Sequence, residues 1–168
     1  MCVKEMNEKI TLWFEKIEDI PLLFLRIILA YTFYGPATAK FSAIEDTASF
    51  FEYLGIPFPL LNAYMAAGTE LVGAVLLSLG LLTRLISIPL LFIMIVAIAT
   101  VHGANGFHVI LEGSEWSNPY INGEAVKGTV VVLQNGYEMV MYYMAMLMIL
   151  ATKGAGKLSL DNLFFKKA

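Results

Sequence analysis

LLNAYMAAGTELVGAVLLSLGLLTR, residues 60–84, decides the fold. It is apolar, long enough to cross a bilayer, and carries one carboxylate, Glu70, near its middle. A spanning helix takes about 20 mostly apolar residues. Near the hydrocarbon midplane a lone charge costs at least about 2.5–3.5 kcal/mol, so Glu70 is expected to be paired, protonated or functional. Ala63, Ala66, Ala67, Gly68, Gly73 and Ala74 surround it, and small side chains let a second helix approach closely. The stretch reads as the packing centre of a helix bundle with a polar group turned inward.

Composition agrees. The chain has 168 residues, 58% of them hydrophobic, with mean hydropathy +0.71, against about 45–50% apolar in soluble domains. One membrane domain over residues 1–168 is expected. The net charge is −3, and no basic patch points to nucleic acid. Cys2 is the only cysteine, which excludes an intrachain disulfide and a CxxC thiol relay.

Upstream, residues 5–19 (EMNEKITLWFEKIED) set Ile10, Trp13, Phe14 and Ile17 at helical spacing with charges on the other face. This predicts a short amphipathic helix lying on the membrane surface or docking to a partner. Residues 20–41 (IPLLFLRIILAYTFYGPATAKF) predict the first span, with Arg26 about two turns in and Pro36 expected to kink it. Ala37-Thr38-Ala39 imitates a leader cleavage site. The acidic preceding segment and Arg26 within the apolar run argue against a leader. Residues 42–59 read as a half-buried interfacial loop, or else a binding lid, with Phe50, Phe51, Tyr53 and Phe58 at the interface.

Downstream, the second span (60–82) turns at Thr83-Arg84 into a third, residues 85–101, so the two form a tight helical hairpin. Residues 102–136 are the one sizeable polar excursion, and Tyr120–Gly123 and Thr129–Leu133 predict a small β-hairpin cap. Residues 137–152 (YEMVMYYMAMLMILAT) predict a fourth, short span, and the basic tail is expected on the surface. Lys4, Lys9, Lys16, Arg84, Lys153, Lys157, Lys166 and Lys167 fall on one side, and only Lys40 and Lys127 on the other. By the positive-inside rule both termini are cytoplasmic and the loops face outward. In a bacterium the location is the inner membrane. The expected fold is therefore all-α: an integral membrane four-helix bundle with an interfacial N-terminal helix and an extracytoplasmic loop or hairpin cap.

Two constellations carry possible chemistry. Arg26 lies roughly 9 Å from the cytoplasmic end of its span and Glu70 roughly 18 Å from that end of its own. Long side chains bring them within reach of a shared contact. The two either fix helix register as an ion pair, or form a proton-linked or ligand-binding site, or stay apart, with Arg26 snorkelling to the lipid and Glu70 neutral. At the outer mouth, antiparallel spans gather Lys40, His102 and Glu138, with Asn105, His108, Asn135 and Tyr137 near in sequence. Imidazole beside carboxylate and ammonium can exchange protons with a quinol-like ligand, or simply seal the bundle's mouth. His102 and His108 lack any metal-ligand spacing. Met141, Met144 and Met148 share a face that suits packing better than copper. Lys153–Lys157 (KGAGK) lacks the phosphate-loop spacing.

Leu25-Arg26, Tyr34-Gly35 and Lys40, then FFEYLGIP (50–57), Glu70–Gly73, LGLLTR (79–84), VHGANGF (101–107), NGYE (135–138) and LSLDNL (158–163) follow in order. This ordered set, over roughly residues 20–163, resembles the DoxX family of small four-helix membrane proteins. The segment 108–134 is longer than usual there and would cover the outer mouth or dock a partner. The family is named for a subunit linked to thiosulfate:quinone oxidoreductase. Other members resemble components of redox-stress or metal-handling systems, and most have no established activity.

The resemblance implies a quinone-interacting oxidoreductase subunit working with a redox or periplasmic partner protein. In that reading Glu70 and Arg26 tune the buried site and His102, Glu138 and Lys40 handle protons. Tyr34, Lys40, Asn105 and Tyr137 contact the quinone. No haem, flavin, iron–sulfur or metal motif accompanies them, so electrons must come from the quinone or the partner. The rivals are a non-catalytic membrane scaffold presenting residues 102–136, and a small transporter or metal handler, more plausible as a homo-oligomer since the chain lacks an internal repeat.

Overall fold

The computed structural model describes residues 3–121, 124–133 and 135–165. Cys2, Asn122, Gly123, Lys166 and Lys167 lie outside the described residues. Helix α1 covers Val3–Lys16. A single turn, in which the Ile20 N–H bonds Ile17 O at 3.0 Å, leads into α2, Asp19–Ser42. Its 24 residues measure about 36 Å. The helix continues through Pro36, and the Thr38 hydroxyl donates to Tyr34 O and Gly35 O just beyond it. Arg26, Leu29, Ala30, Phe33 and Ala37 form its buried stripe, at the three- and four-residue spacing of one helix face.

The loop expected over 42–59 is largely a helix, α3, Ile44–Tyr53. Glu45 and Asp46 sit in its first turn, where carboxylates favour the helix dipole. Thr47 and Ser49 satisfy their hydroxyls on the carbonyls four residues back. Ala48 is buried, and α3 packs on α4. Helix α4 covers Pro59–Leu79 and buries Ala63, Ala67, Glu70, Gly73, Ala74 and Leu77. Helix α4 packs against α2, while its Gly73 faces Leu90. It ends on Gly80 at φ +66°, a left-handed cap that glycine adopts without strain.

Helix α5, Thr83–Ala97, runs on through a π-turn at Ile98–His102 and a 3₁₀ turn at Gly103–Asn105. Strands β1, Ile110–Ile121, and β2, Glu124–Leu133, pair antiparallel from Ile110 opposite Leu133 to Ile121 opposite Glu124. The hairpin is longer than expected, and β1 begins ten residues before Tyr120. Pro119 does not break it, because a two-stranded ribbon is all edge and the register shifts between Asn118 and Ile121. Helix α6 covers Glu138–Lys153 and α7 Leu160–Phe165.

Among the described residues, three helical stretches, Asp19–Ser42, Pro59–Leu79 and Thr83–Asn105, are long and apolar enough to cross a membrane. With 16 residues, α6 falls short of the usual length of about 20. The chain forms two compact units, Met1–Ile93 with Met144–Ala168, and Met94–Tyr143. In the first, Leu29, Phe33, Leu77, Leu90, Leu147 and Leu150 are buried, whereas Phe24, Tyr31, Leu85, Ile88 and Phe92 are exposed. Large apolar side chains turned outward suit a lipid environment.

Candidate functional site

The polar centre of the first unit is an ion pair between α2 and α4. Lys40 Nζ lies 2.8 Å from Glu70 Oε1 and 2.6 Å from Oε2. The sequence left open whether Glu70 reaches Arg26; it binds Lys40. The reason is the direction of side chains. Both Cα–Cβ bonds tilt toward their own helix N-terminus, and these helices are antiparallel. Lys40 stands about 21 Å along α2 from Arg26, and Glu70 about 10 Å along α4 from Leu77. Lysine leans back toward the middle while glutamate leans the other way, and the two side chains close that offset. The Glu70 side chain is 5% exposed and that of Lys40 23%, so lysine is the more accessible member of the pair.

Arg26 serves a different structure. It is 1% exposed. Its Nη1 donates to Leu77 O at 3.5 Å, a carbonyl in the last turn of α4 that also accepts the Gly80 N–H at 3.2 Å. Its Nη2 donates to Leu158 O in the C-terminal tail. A Cβ on Gly80 would overlap this guanidinium, so the αL cap of α4 and the arginine pocket require the same glycine.

The tail, expected on the surface, is clamped to the rest of the first unit. The Asp161 N–H donates to Gly80 O at 2.8 Å. The Asp161 carboxylate accepts the N–H groups of Leu82 and Thr83 at 2.6 and 3.0 Å, capping the start of α5. Asp19 Oδ1 accepts the Lys157 N–H at 2.6 Å, and its other oxygen lies 3.3 Å from Lys157 Nζ. Arg84 donates to Lys153 O at 3.1 Å. Thus the segments LGLLTR and LSLDNL, far apart in sequence, grip each other. Asp19 and Asp161 escaped the sequence reading. The available signal was Ser159, whose hydroxyl accepts the Asn162 N–H as a helix-starting cap does.

In the second unit, His102 Nδ1 and Asn105 Nδ2 both meet Asn135 O, at 2.9 and 3.3 Å. Glu138 Oε1 accepts the Tyr142 hydroxyl at 2.7 Å, and Oε2 the Val109 N–H at 3.3 Å. The Tyr137 ring meets Phe107 edge-on at 5.4 Å, and the N–H groups of Tyr137 and Glu138 bond Gly106 O and Phe107 O. A Cβ on Gly136 would overlap the carbonyls of residues 106–108. VHGANGF and NGYE therefore form one braced corner. His102 and Glu138, expected as a proton-exchanging couple, each have other partners. Tyr34 is exposed on α2. Met139, Met141 and Met148 also point outward instead of filling a core.

These features define a small helical membrane protein with a buried ion pair. The family model of DoxX matches residues 21–103. A Haemophilus influenzae (strain ATCC 51907 / DSM 11121 / KW20 / Rd) protein, named only as uncharacterized, is 31% identical over 88% of this chain and 85% of its own length. A second uncharacterized protein of that strain is 34% identical over 91% of this chain and 97% of its own. The "Putative oxidoreductase CatD" of Bacillus subtilis (strain 168) is 37% identical over 49% of this chain and 60% of its own length. No solved structure matches. The chain belongs to the DoxX family.

Proposed function

We propose that the protein is a quinone-interacting subunit of a membrane oxidoreductase whose redox centre sits on a partner protein. The observation that carries this reading is the Lys40–Glu70 pair within the spans. An ion pair at that depth is costly to bury, and its accessible member is a donor. An ammonium has three N–H donors; two lie toward Glu70, and the third suits a quinone carbonyl. The rings of Phe41 and Tyr64, 6.5 Å apart, offer flat apolar surface beside those two helices. A bound quinone would supply two-electron, two-proton chemistry. Lys40 orients its carbonyl, and the Glu70 carboxylate, shielded from water, holds the ammonium in place and would accept a proton released by the quinol. The name of the Bacillus relative points the same way.

In this reading the whole chain is one inner-membrane domain. α6 completes a four-helix bundle, α1 lies amphipathically in the interface, and both termini are cytoplasmic. Arg26 is the register-fixing residue of this bundle. A second reading, a scaffold for an extracytoplasmic partner, is favoured by the β1–β2 hairpin, since each strand of a two-stranded ribbon offers an edge for pairing.

Mass spectrometry of the lipid extract from protein purified in mild detergent separates the two. Quinone retained by wild type and lost from Glu70→Gln and Lys40→Met is the expected result. Phospholipid alone in every sample refutes the quinone reading and leaves the scaffold.

A further inference from the structure

Where the tail folds back on the first unit, a cleft of about 530 Å³ opens beside the start of α5. Arg84, Lys153 and Asp161 line it together with Leu82, Leu85 and Phe165. We propose that this cleft binds the phosphodiester headgroup of an anionic phospholipid. The quinone reading plays no part in this argument.

Position is the first support. The third span begins at Thr83, so Arg84 stands at the level where headgroups meet water, the depth at which cationic and amphipathic side chains settle. Charge is the second. Arg84 and Lys153 are both exposed, and Asp161 is the one acid in the lining. The Asp161 oxygens are turned to the N–H groups of Leu82 and Thr83. The net of one positive charge matches a monoanionic phosphodiester better than a dianionic phosphomonoester.

The available donors are the third support. Arg84 gives one NH2 bond to Lys153 O, which fixes the guanidinium, and a guanidinium has five N–H donors. Gly154, at φ +87°, carries no side chain where a Cβ would stand 3.0 Å from Arg84 Nε. Leu85 and Phe165, both exposed, add apolar surface next to the cations. A lipid, with its glycerol and acyl chains behind the phosphate, uses that surface; a small soluble anion does not.

Native mass spectrometry of the full chain in mild detergent tests this with phosphatidylglycerol, phosphatidylethanolamine and soluble glycerophosphoglycerol as probes. Wild type is expected to hold phosphatidylglycerol more strongly than phosphatidylethanolamine, and excess glycerophosphoglycerol should leave that adduct in place. Removing each cation, by Arg84→Gln or Lys153→Gln, should weaken it about fivefold. Lys153→Gln keeps the backbone carbonyl that holds Arg84, so it decides the matter even if Arg84→Gln fails to fold. Equal phosphatidylglycerol binding by wild type and Lys153→Gln would overturn the proposal, as would equal retention of the two lipids. Displacement by the soluble diester would overturn the lipid assignment in favour of a soluble phosphodiester.

Discussion

The carboxylate of Asp161 accepts the backbone N–H of Leu82 at 2.6 Å across 79 positions of sequence. With the Thr83 bond it supplies the cap that α5 has no local side chain to provide. Asp161→Ala should cost about 1–2 kcal/mol and release the tail. Thermal unfolding in detergent and limited proteolysis beyond Lys153 read both effects. Asp161→Asn, which keeps one acceptor, should fall between. An unchanged cleavage pattern in the alanine variant would contradict the clamp.

Gly80 and Arg26 should be energetically coupled. Gly80→Ala meets both a left-handed backbone and the guanidinium, and is expected to cost about 1–3 kcal/mol. In an Arg26→Met background the overlap with the guanidinium is removed, while the close approach to Ser159 Cβ at 2.7 Å and the backbone strain, about 1 kcal/mol, remain. A double-mutant cycle should therefore give a coupling of about 0.5–3 kcal/mol. Simple additivity of the two changes would show that they do not share this space.

Breaking the Lys40–Glu70 pair on one side should be worse than removing it entirely. Lys40→Met strands a carboxylate that is 5% exposed, a loss of about 3–5 kcal/mol if it stays ionised. The double variant Lys40→Met with Glu70→Leu should recover much of it. Denaturation of the three proteins in one detergent checks the order. A double variant as unstable as the single one would mean that the pair is needed for folding.

Gly73 is a contact point between α4 and α5. A Cβ there would lie 2.8 and 2.9 Å from the two Leu90 methyls, and Leu90 is fully buried. Gly73→Ala should destabilise by about 1–3 kcal/mol, and Leu90→Ala should relieve the clash while leaving its own cavity. The melting temperature of the pair should exceed the value predicted from the sum of the two single losses.

Hydropathy placed the three long spans within a few residues, because apolar length is a property of a contiguous stretch. Small residues around Glu70 likewise marked the buried face of α4. The partner of Glu70 was not readable, since it depends on how far one helix is slid along another and on side-chain lean. Helix α3 was hidden by Ser42, Glu45, Asp46 and Thr47, whose polarity resembles a loop although Ala48 and its neighbours pack on α4. His102 bonds a backbone carbonyl, a partner that no residue type announces. The hold of Arg26 on the tail was not readable for a related reason: Leu158 acts through its main chain, so its side chain carries no sign of the role.

The bond from Arg26 to Leu158 also concerns the chain while it is being made. Its two ends are 132 residues apart. At about 5–20 residues per second, the acceptor emerges roughly 7–26 s after the arginine. Through that interval the nascent chain carries a guanidinium whose closing carbonyl has not yet been synthesised. Headgroups, water or the insertion machinery must hold it meanwhile, and a message that stops short of Leu158 leaves that need permanent.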